Sequence, residues 1–285
     1  MRERDPYKIE APFVVQFSGG KTSAYMLWKI LEAYEGELPD DAVVAFQNTG
    51  KEREETLDFV HEVETRWGVN IVWLEYFLIE EEAGDGLTIN KHSFRVVNYE
   101  RAARDGAPFS AVIKKKQYLP NPMSRFCTSE LKVKTRDRYL KSIGIKDFDS
   151  AVGIRYDEPR RWSKMKIPTR HNANVVMPLV DAKVDHQEVL KFWEAQDFKL
   201  ELMQHEGNCD LCFLKGKGKI AEILVRRPGL ADWWSSQELN NYGRTEEAGK
   251  FRYDRPSYAA LKKMAINQNQ LFDMSEESIS CFCGD

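Results

Sequence analysis

Two rhythms of apolar and polar residues alternate over the first 75 positions of the chain. Phe13-Val14-Val15-Gln16-Phe17 is a short, β-branched apolar run of the kind that forms a buried strand. Ala24 to Tyr34 follows with helix-forming composition, and Met26, Leu27, Ile30 and Leu31 recur at the spacing of one helical face. Ala42 to Phe46 reads as a second strand. Glu52 to Trp67 reads as a second helix, with Leu57, Val60 and Val63 on one side. Ile71-Val72-Trp73-Leu74 reads as a third strand. Strand, helix, strand, helix, strand predicts parallel strands joined by right-handed crossovers.

From Phe77 to Pro122 the rhythm weakens. Acidic Glu80-Glu81-Glu82, the turn signal Gly84-Asp85-Gly86 and basic Lys114-Lys115-Lys116 interrupt it, and an inserted region capping the site is expected there. Regular runs return at Ser150-Ala151-Val152-Gly153-Ile154 and Val175-Val176-Met177, read as further strands, and His186 to Gln196 reads as a helix. After Asn208 the chain turns polar and cysteine-bearing. The pattern predicts an α/β domain over 1–200, with its insertion at about 77–122, and a cysteine-containing appendage over 201–285. No internal repeat or low-complexity tract interrupts this order.

Composition is that of an ordinary globular protein, with 42% apolar and 31% charged residues. No apolar run nears the roughly 20 residues of a membrane span. The opening MRERDPYKIEAP lacks a signal-peptide core, so a cytoplasmic protein without membrane association is expected. Charge changes the picture more. Between Arg101 and Arg170 there are 18 Lys and Arg against 7 Asp and Glu, a local excess of +11. The net charge is −3, so the remainder carries −14. A basic middle in an acidic chain points to a phosphate-rich ligand, whether nucleotide or nucleic acid; a solvated charged helix is the plainer alternative.

Ser18-Gly19-Gly20-Lys21-Thr22-Ser23 stands where the first strand runs into the first helix. Two glycines let the backbone approach an anion and adopt positive φ. The helix N-terminus supplies N–H donors and partial positive charge. Three hydroxyls and the Lys21 ammonium complete a phosphate cradle. The spacing is not that of a Walker A loop, so a GTPase-type site is not indicated.

This loop resembles the pyrophosphate-binding loop of the adenine-nucleotide α-hydrolase (PP-loop) superfamily, Ser-Gly-Gly-x-x-Ser/Thr. Four further stretches resemble its phosphoadenylylsulfate reductase-like branch, in order. They are Asn48-Thr49-Gly50 with Glu52 and Glu55-Thr56-Leu57; Cys127 with Leu131-Lys132-Val133-Lys134; Gly153-Ile154-Arg155 with Asp157-Glu158 and Arg160-Arg161; and Pro178-Leu179. The resemblance covers about residues 13 to 195. It implies a Rossmann-like open parallel sheet of the PP-loop type. It also implies an adenine nucleotide held by Ser18 to Ser23, with Asn48, Thr49 and Gly50 near the nucleoside and Arg155 and Arg161 on phosphate. Sulfonucleotide reductases have usually lost the intact Gly-Gly-Lys; here Gly19, Gly20 and Lys21 are all present. The chain therefore resembles members that cleave ATP between the α and β phosphates with Mg²⁺, where a cradle, a lysine and a metal stabilise the leaving pyrophosphate.

Five cysteines do not form a regular disulfide framework. Cys209-Asp210-Leu211-Cys212 has metal-ligand spacing, and thiolates so spaced suit zinc or an iron–sulfur cluster equally. The resemblance favours an iron–sulfur cluster, 4Fe-4S in type, on Cys127, Cys209 and Cys212. The fourth position is then open, or filled by Cys283 or Cys281. Either tail cysteine is also a candidate catalytic thiol, as in reductases with a C-terminal Glu-Cys-Gly. Here Cys283-Gly284 lacks the preceding glutamate, which puts that role in doubt. Cys209 and Cys212 as a zinc knuckle or unliganded, Cys127 as a buried thiol and an unused terminal pair are the structural alternatives.

Arg155, Arg160 and Arg161 suit phosphoryl oxygens by their planar donors, and Lys164, Lys166 and Arg170 continue the patch. Trp162, Trp233 and Trp234 could stack on bases, although aromatics are mostly core. His171 and His186 read as structural. The leading expectation is an ATP pyrophosphatase-like enzyme, with Lys21 catalytic, that adenylylates a substrate for sulfur insertion. The acceptor expected is tRNA or a DNA backbone, with a sulfur donor such as a cysteine desulfurase and a homo-oligomeric assembly. A sulfonucleotide reductase using Cys283 or Cys281 is the second reading, and a non-catalytic nucleotide sensor or nucleic-acid-binding partner the third.

Overall fold

The computed structural model describes residues 5–83, 87–165, 173–203, 205–240 and 249–267. Six strands, β1 (Phe13–Gln16), β2 (Ala42–Asn48), β3 (Ile71–Ala83), β4 (Leu87–Val97), β5 (Phe148–Val152) and β6 (Ala173–Val176), form one sheet in the order β4-β3-β2-β1-β5-β6. Every pairing is parallel except β3 with β4. Phe13 sits level with Ala42 on one side and Asp149 on the other, so β1 is the central strand from which the chain departs in both directions.

Helices cover both faces, as parallel strands require. In chain order they are α1 (Lys21–Ala33), α2 (Glu54–Trp67), α3 (Ala107–Lys116), α4 (Lys134–Ser142), α5 (Pro159–Met165), α6 (Pro178–Asp181), α7 (His186–Glu194), α8 (Lys217–Arg226), α9 (Ala231–Leu239) and α10 (Tyr258–Asn267). A π-helical turn, Cys127–Val133, leads into α4. Successive strand residues point to opposite faces. Phe13, Val15, Phe46 and Trp73 therefore pack with α1, α2 and α7, whereas Val14, Ala45 and Leu74 pack with Leu140 of α4. The helix rhythm is reinforced at its ends. Glu54 and Glu55 stand in the first turn of α2, Arg66 in the last, and Gly68 closes it in the left-handed conformation.

The structure departs from the sequence pattern in several places. The third strand does not stop at Leu74 but runs to Ala83 and returns antiparallel as β4, with Glu81 opposite Ile89. The expected capping insertion is thus in part a hairpin extending the sheet edge. Phe77 and Ile79 are apolar yet exposed beside the buried Tyr76 and the half-buried Leu78, so hydrophobicity does not alternate with burial there. The helix α4, KTRDRYLKS, was hidden by its charge. The segment after residue 205 does not stand apart. Leu211, Phe213, Ile220 and Trp234 share a second apolar core with Phe109 of α3 and Leu131 of the π turn. No helix among the described residues is long and apolar enough to cross a membrane.

Candidate functional site

The strand order reverses between β1 and β5, and ligands of open α/β sheets sit at the carboxyl edge of such a point. The Ser18–Ser23 loop leaves β1 there. Gly19 has φ +76°, and a Cβ on it would come within 2.7 Å of Thr56 Cγ2, 3.1 Å of Val60 and 3.3 Å of Phe46. Only glycine fits a left-handed residue so enclosed. Gly20 begins α1 in an extended conformation with no side chain capping the helix. The first N–H groups of α1, which have no intrahelical acceptor, are thereby presented at the crevice.

The loop is braced from within. Ser23 Oγ accepts from the Ser18 N–H at 3.2 Å, meets Ser18 Oγ at 2.9 Å and donates to the Gly20 carbonyl at 3.0 Å. Trp193 of α7 donates to the Lys21 carbonyl at 2.9 Å. From the next strand, Gly153 lies so close that a Cβ would meet Ser23 Cα at 2.9 Å. Arg155 reaches across to donate to Thr22 Oγ1 at 3.1 Å while its Nε holds Asp157 at 2.9 Å. The Gly-Ile-Arg stretch and the glycine loop, 130 residues apart, are thus one structure.

Lys21 lines a cleft of 510 Å³ together with Arg53, Lys199, Arg226 and Arg227. Burial, and then Lys199, lower the Lys21 pKa from its usual value, against the pull of Glu201. Two carboxylates hold the arginines. Arg53 contacts Glu55 at 2.9 Å and Glu206 at 3.2 Å, Arg227 reaches Glu55 at 2.7 Å, and Arg226 reaches Glu206 at 3.3 Å. Sequence reasoning missed these cleft cations; the one visible signal was the Arg226-Arg227 pair closing α8.

The end of β2 behaves differently. Asn48 is fully buried, donating to Glu75 at 2.6 Å and the Ala103 carbonyl at 2.9 Å and accepting from the Gly50 N–H at 3.0 Å. Thr49 donates to Glu52 from both its N–H (2.8 Å) and its hydroxyl (2.9 Å). Gly50, with φ +76°, abuts the Gly106 backbone. These polar groups are taken up inside the protein. Glu52 pairs as an isolated bridge with Cys209, whose Sγ lies 3.5 Å from Thr49 Oγ1. Lys51 meets Asp210 at 3.0 Å, and Asp210 also accepts from Trp234 at 2.7 Å. Burial pushes the Glu52 carboxyl up against the opposing effect of Lys132, and pushes the Cys209 thiol up as well, aided by Glu52 and Cys212.

Cys209 and Cys212 share one turn, closed by the Cys212 N–H on the Cys209 carbonyl at 3.2 Å. Cys127, at the start of the π turn, packs against the same apolar core. All three are half-buried and stand outside any disulfide among the described residues. Their chemistry suits a soft metal or an iron–sulfur cluster. Among the described residues, however, no group of three or more His, Cys, Asp or Glu side chains is gathered closely enough to hold a metal ion. Cys281 and Cys283 lie outside the described residues, as do Lys166, Arg170 and His171.

The remaining candidates divide. Arg161 is buried and bound to Glu158, which also holds the Arg155 N–H at 3.0 Å, so it supports the Arg155 turn. Arg160 and Lys164 are exposed. Trp234 is fully buried and Trp233 is packed on Phe109 and Trp234, so these two tryptophans are core rather than stacking platforms. Trp162 is half-buried and donates to the Tyr156 carbonyl at 3.1 Å. His186 opens α7, its N–H on Asp157 at 3.2 Å.

The family described as phosphoadenosine phosphosulfate reductase domain matches over residues 12–243. The chain belongs to this family. An uncharacterised nin region protein of Escherichia phage lambda is 31% identical over 220 residues, covering 76% of this chain and 71% of that protein. An uncharacterised protein of Methanocaldococcus jannaschii is 32% identical over 252 residues, covering 85% of this chain but 44% of that longer protein. Among solved structures, the U34-tRNA thiolase NcsA from Methanococcus maripaludis with its 4Fe-4S cluster aligns at TM-score 0.41 and 14% identity, over 95% of this chain and 79% of that one. The match over residues 12–243 takes in both the glycine loop and the Cys209–Cys212 turn, so loop, cleft and cysteine seam all fall within the family's domain.

Proposed function

We propose that this chain cleaves ATP between the α and β phosphates and adenylylates an acceptor for sulfur transfer. The observation that carries the reading is the intact Gly19-Gly20-Lys21 cradle at the sheet's switch point, braced by Arg155 through Thr22. An acceptor oxygen attacks the α phosphorus, the bond to the bridging oxygen of the β phosphate breaks, and pyrophosphate leaves. The N–H groups at the start of α1 and the Lys21 ammonium face the charge that develops on that leaving group. Mg²⁺, when bound, neutralises part of the same charge. Arg53, Arg226 and Arg227 supply further positive charge in the adjoining cleft.

Cys127, Cys209 and Cys212 are the residues that would hold an iron–sulfur cluster, with Cys283 or Cys281 as the remaining ligand or thiol. A nucleic acid, tRNA or DNA, is the acceptor favoured by the basic middle of the chain.

Calorimetric binding of ATP–Mg²⁺ against adenylylsulfate and phosphoadenylylsulfate, on protein purified without oxygen, tests the nucleotide half. Tighter ATP binding, with pyrophosphate release once acceptor is present, is expected. The reverse order of affinity overturns the reading and makes the chain a sulfonucleotide reductase. Iron and acid-labile sulfide content of the same preparation, in wild type and Cys209→Ser, tests the cysteines. Iron and sulfide near zero in the wild type, or unchanged by the substitution, would remove them from the scheme.

A further inference from the structure

The basic middle of the chain is gathered around one buried carboxylate. Glu130, in the π turn, is only 2% exposed. Three separate elements converge on it. Lys116 at the end of α3 lies 3.0 Å away, Lys134 and Arg138 of α4 lie at 2.9 and 3.4 Å, and His92 of β4 lies at 3.8 Å. One carboxylate thus serves three permanent cations, which leaves the cluster strongly positive. His92 registers that field. Its pKa is lowered first by burial and then by Arg138, Lys116 and Lys115, against the pull of Glu130. Arg138 also keeps a buried Nη1 with no hydrogen-bond partner among the described residues. Lys114 and Lys115 continue the face outward, exposed and outside the Glu130 ion pairs.

Like charges gathered around a single counter-charge repel, and an arrangement of this kind is stabilised by an external anion. Pairing with Glu130 holds the Lys116 and Lys134 ammonium groups in place before any ligand arrives, which lowers the ordering cost of binding. The π turn that carries Glu130 begins at Cys127. The cluster belongs to the sheet face covered by α3 and α4, opposite the face covered by α1 and α2.

We propose that the cationic cluster around Glu130 docks the phosphodiester backbone of a nucleic-acid acceptor, with Lys116, Lys134 and Arg138 as its centre and Lys114 and Lys115 as its rim. This rests on the reading of the chain as an enzyme acting on nucleic acid. It adds where the acceptor sits.

The test uses the full chain and fluorescence anisotropy with labelled tRNA, single-stranded DNA and duplex DNA, without ATP, across a salt series. Lys114→Glu/Lys115→Glu disturbs no ion pair with Glu130. Lys116→Gln/Glu130→Gln/Lys134→Gln removes two of the three central cations without stranding a buried carboxylate, and thermal unfolding checks that it folds. Lys29→Glu, on α1 across the sheet, is the control. Both cluster variants are expected to lose at least roughly tenfold in affinity, with the log–log salt slope reduced by about one per lost phosphate contact. The control should bind like wild type. Cluster variants that bind like wild type overturn the proposal, as does wild type that binds none of the three probes, or poly-glutamate competing as well as nucleic acid. Preference among the probes identifies tRNA or DNA. If binding depends on the cluster while ATP is never cleaved, the docking surface stands and the ATP reading fails.

Discussion

The carboxyl ends of β1 and β2 are neighbours in the sheet and carry equally polar sequences, Ser18-Gly19-Gly20-Lys21-Thr22-Ser23 and Asn48-Thr49-Gly50-Lys51-Glu52. Their polar groups face opposite ways. At β1 the serine hydroxyls brace the loop from behind, and the first turn of α1 is left without a cap. At β2 Asn48, Thr49, Lys51 and Glu52 are all buried, with partners inside the chain that include Asp210 of the distant cysteine segment. One end leaves backbone donors open at the crevice. The other fastens the C-terminal third of the chain to the sheet. Stretches that look alike as motifs can thus differ in kind: some make the site, and others hold the parts of the site together.

That contrast breaks most readily at Asp210. Asp210→Ala leaves Lys51, 7% exposed, without its carboxylate and Trp234 Nε1 without an acceptor. A buried charge stripped of its partner costs about 3–5 kcal/mol. Urea denaturation should show a loss of that size. If the loss is below about 1 kcal/mol, the seam is not what joins the two cores.

Lys21→Met tests the other side. The ammonium is half-buried in the cleft and no side-chain partner holds it by hydrogen bond among the described residues, so its removal should leave the unfolding midpoint within error. ATP-dependent pyrophosphate release should fall roughly 100-fold, about 2.7 kcal/mol, as for loss of one donor to a developing charge. A large drop in stability with little change in turnover would reverse the assignment of the two ends.

Glu130 sharpens the comparison, because it is satisfied internally yet surrounded by cations in excess. Burial alone would raise its pKa; hydrogen bonds from Lys134 and Lys116 outweigh burial and lower it from 4.5 to about 2. A folded-state pKa below the unfolded one gives stability that is present above about pH 4.5 and lost as pH falls toward 2. Wild type should therefore exceed Glu130→Gln by roughly 2 kcal/mol at neutral pH. The gap should narrow through that window and close below it. A gap independent of pH would mean that Glu130 acts through packing alone.

Much of this was legible in the chain before its structure. The buried strands β1, β2 and the first half of β3 announce themselves because covered parallel strands are continuous apolar runs, and the glycine loop because its residue types have few other uses. What could not be read has a common cause: the information lies in distant partners. Asn48 and Thr49 look like ligand groups until Glu75, Ala103 and Glu52 are seen to occupy them. Lys116 looks like part of a solvated run until α4 brings Lys134 and Arg138 to the carboxylate it meets. The tryptophans at 233 and 234 look available until α9 packs them against Phe109.

The smallest expected effect concerns the link between loop and strand. Arg155 touches Thr22 Oγ1 at 3.1 Å and Asp157 at 2.9 Å, and lies 3.8 Å from Glu158, so one guanidinium ties β5 to the start of α1. Lysine keeps the charge but presents a single point in place of a planar fork, and cannot span Thr22 and Asp157 together. Arg155→Lys should therefore weaken ATP binding only about five- to tenfold, near 1 kcal/mol, by loosening Thr22 rather than by removing positive charge. Thr22→Val removes the acceptor from the other side. In a double-mutant cycle read by calorimetry, the two losses should be less than additive if Arg155 acts through Thr22. Full additivity would mean that Arg155 contacts the nucleotide itself, and the brace would then be part of the phosphate cradle.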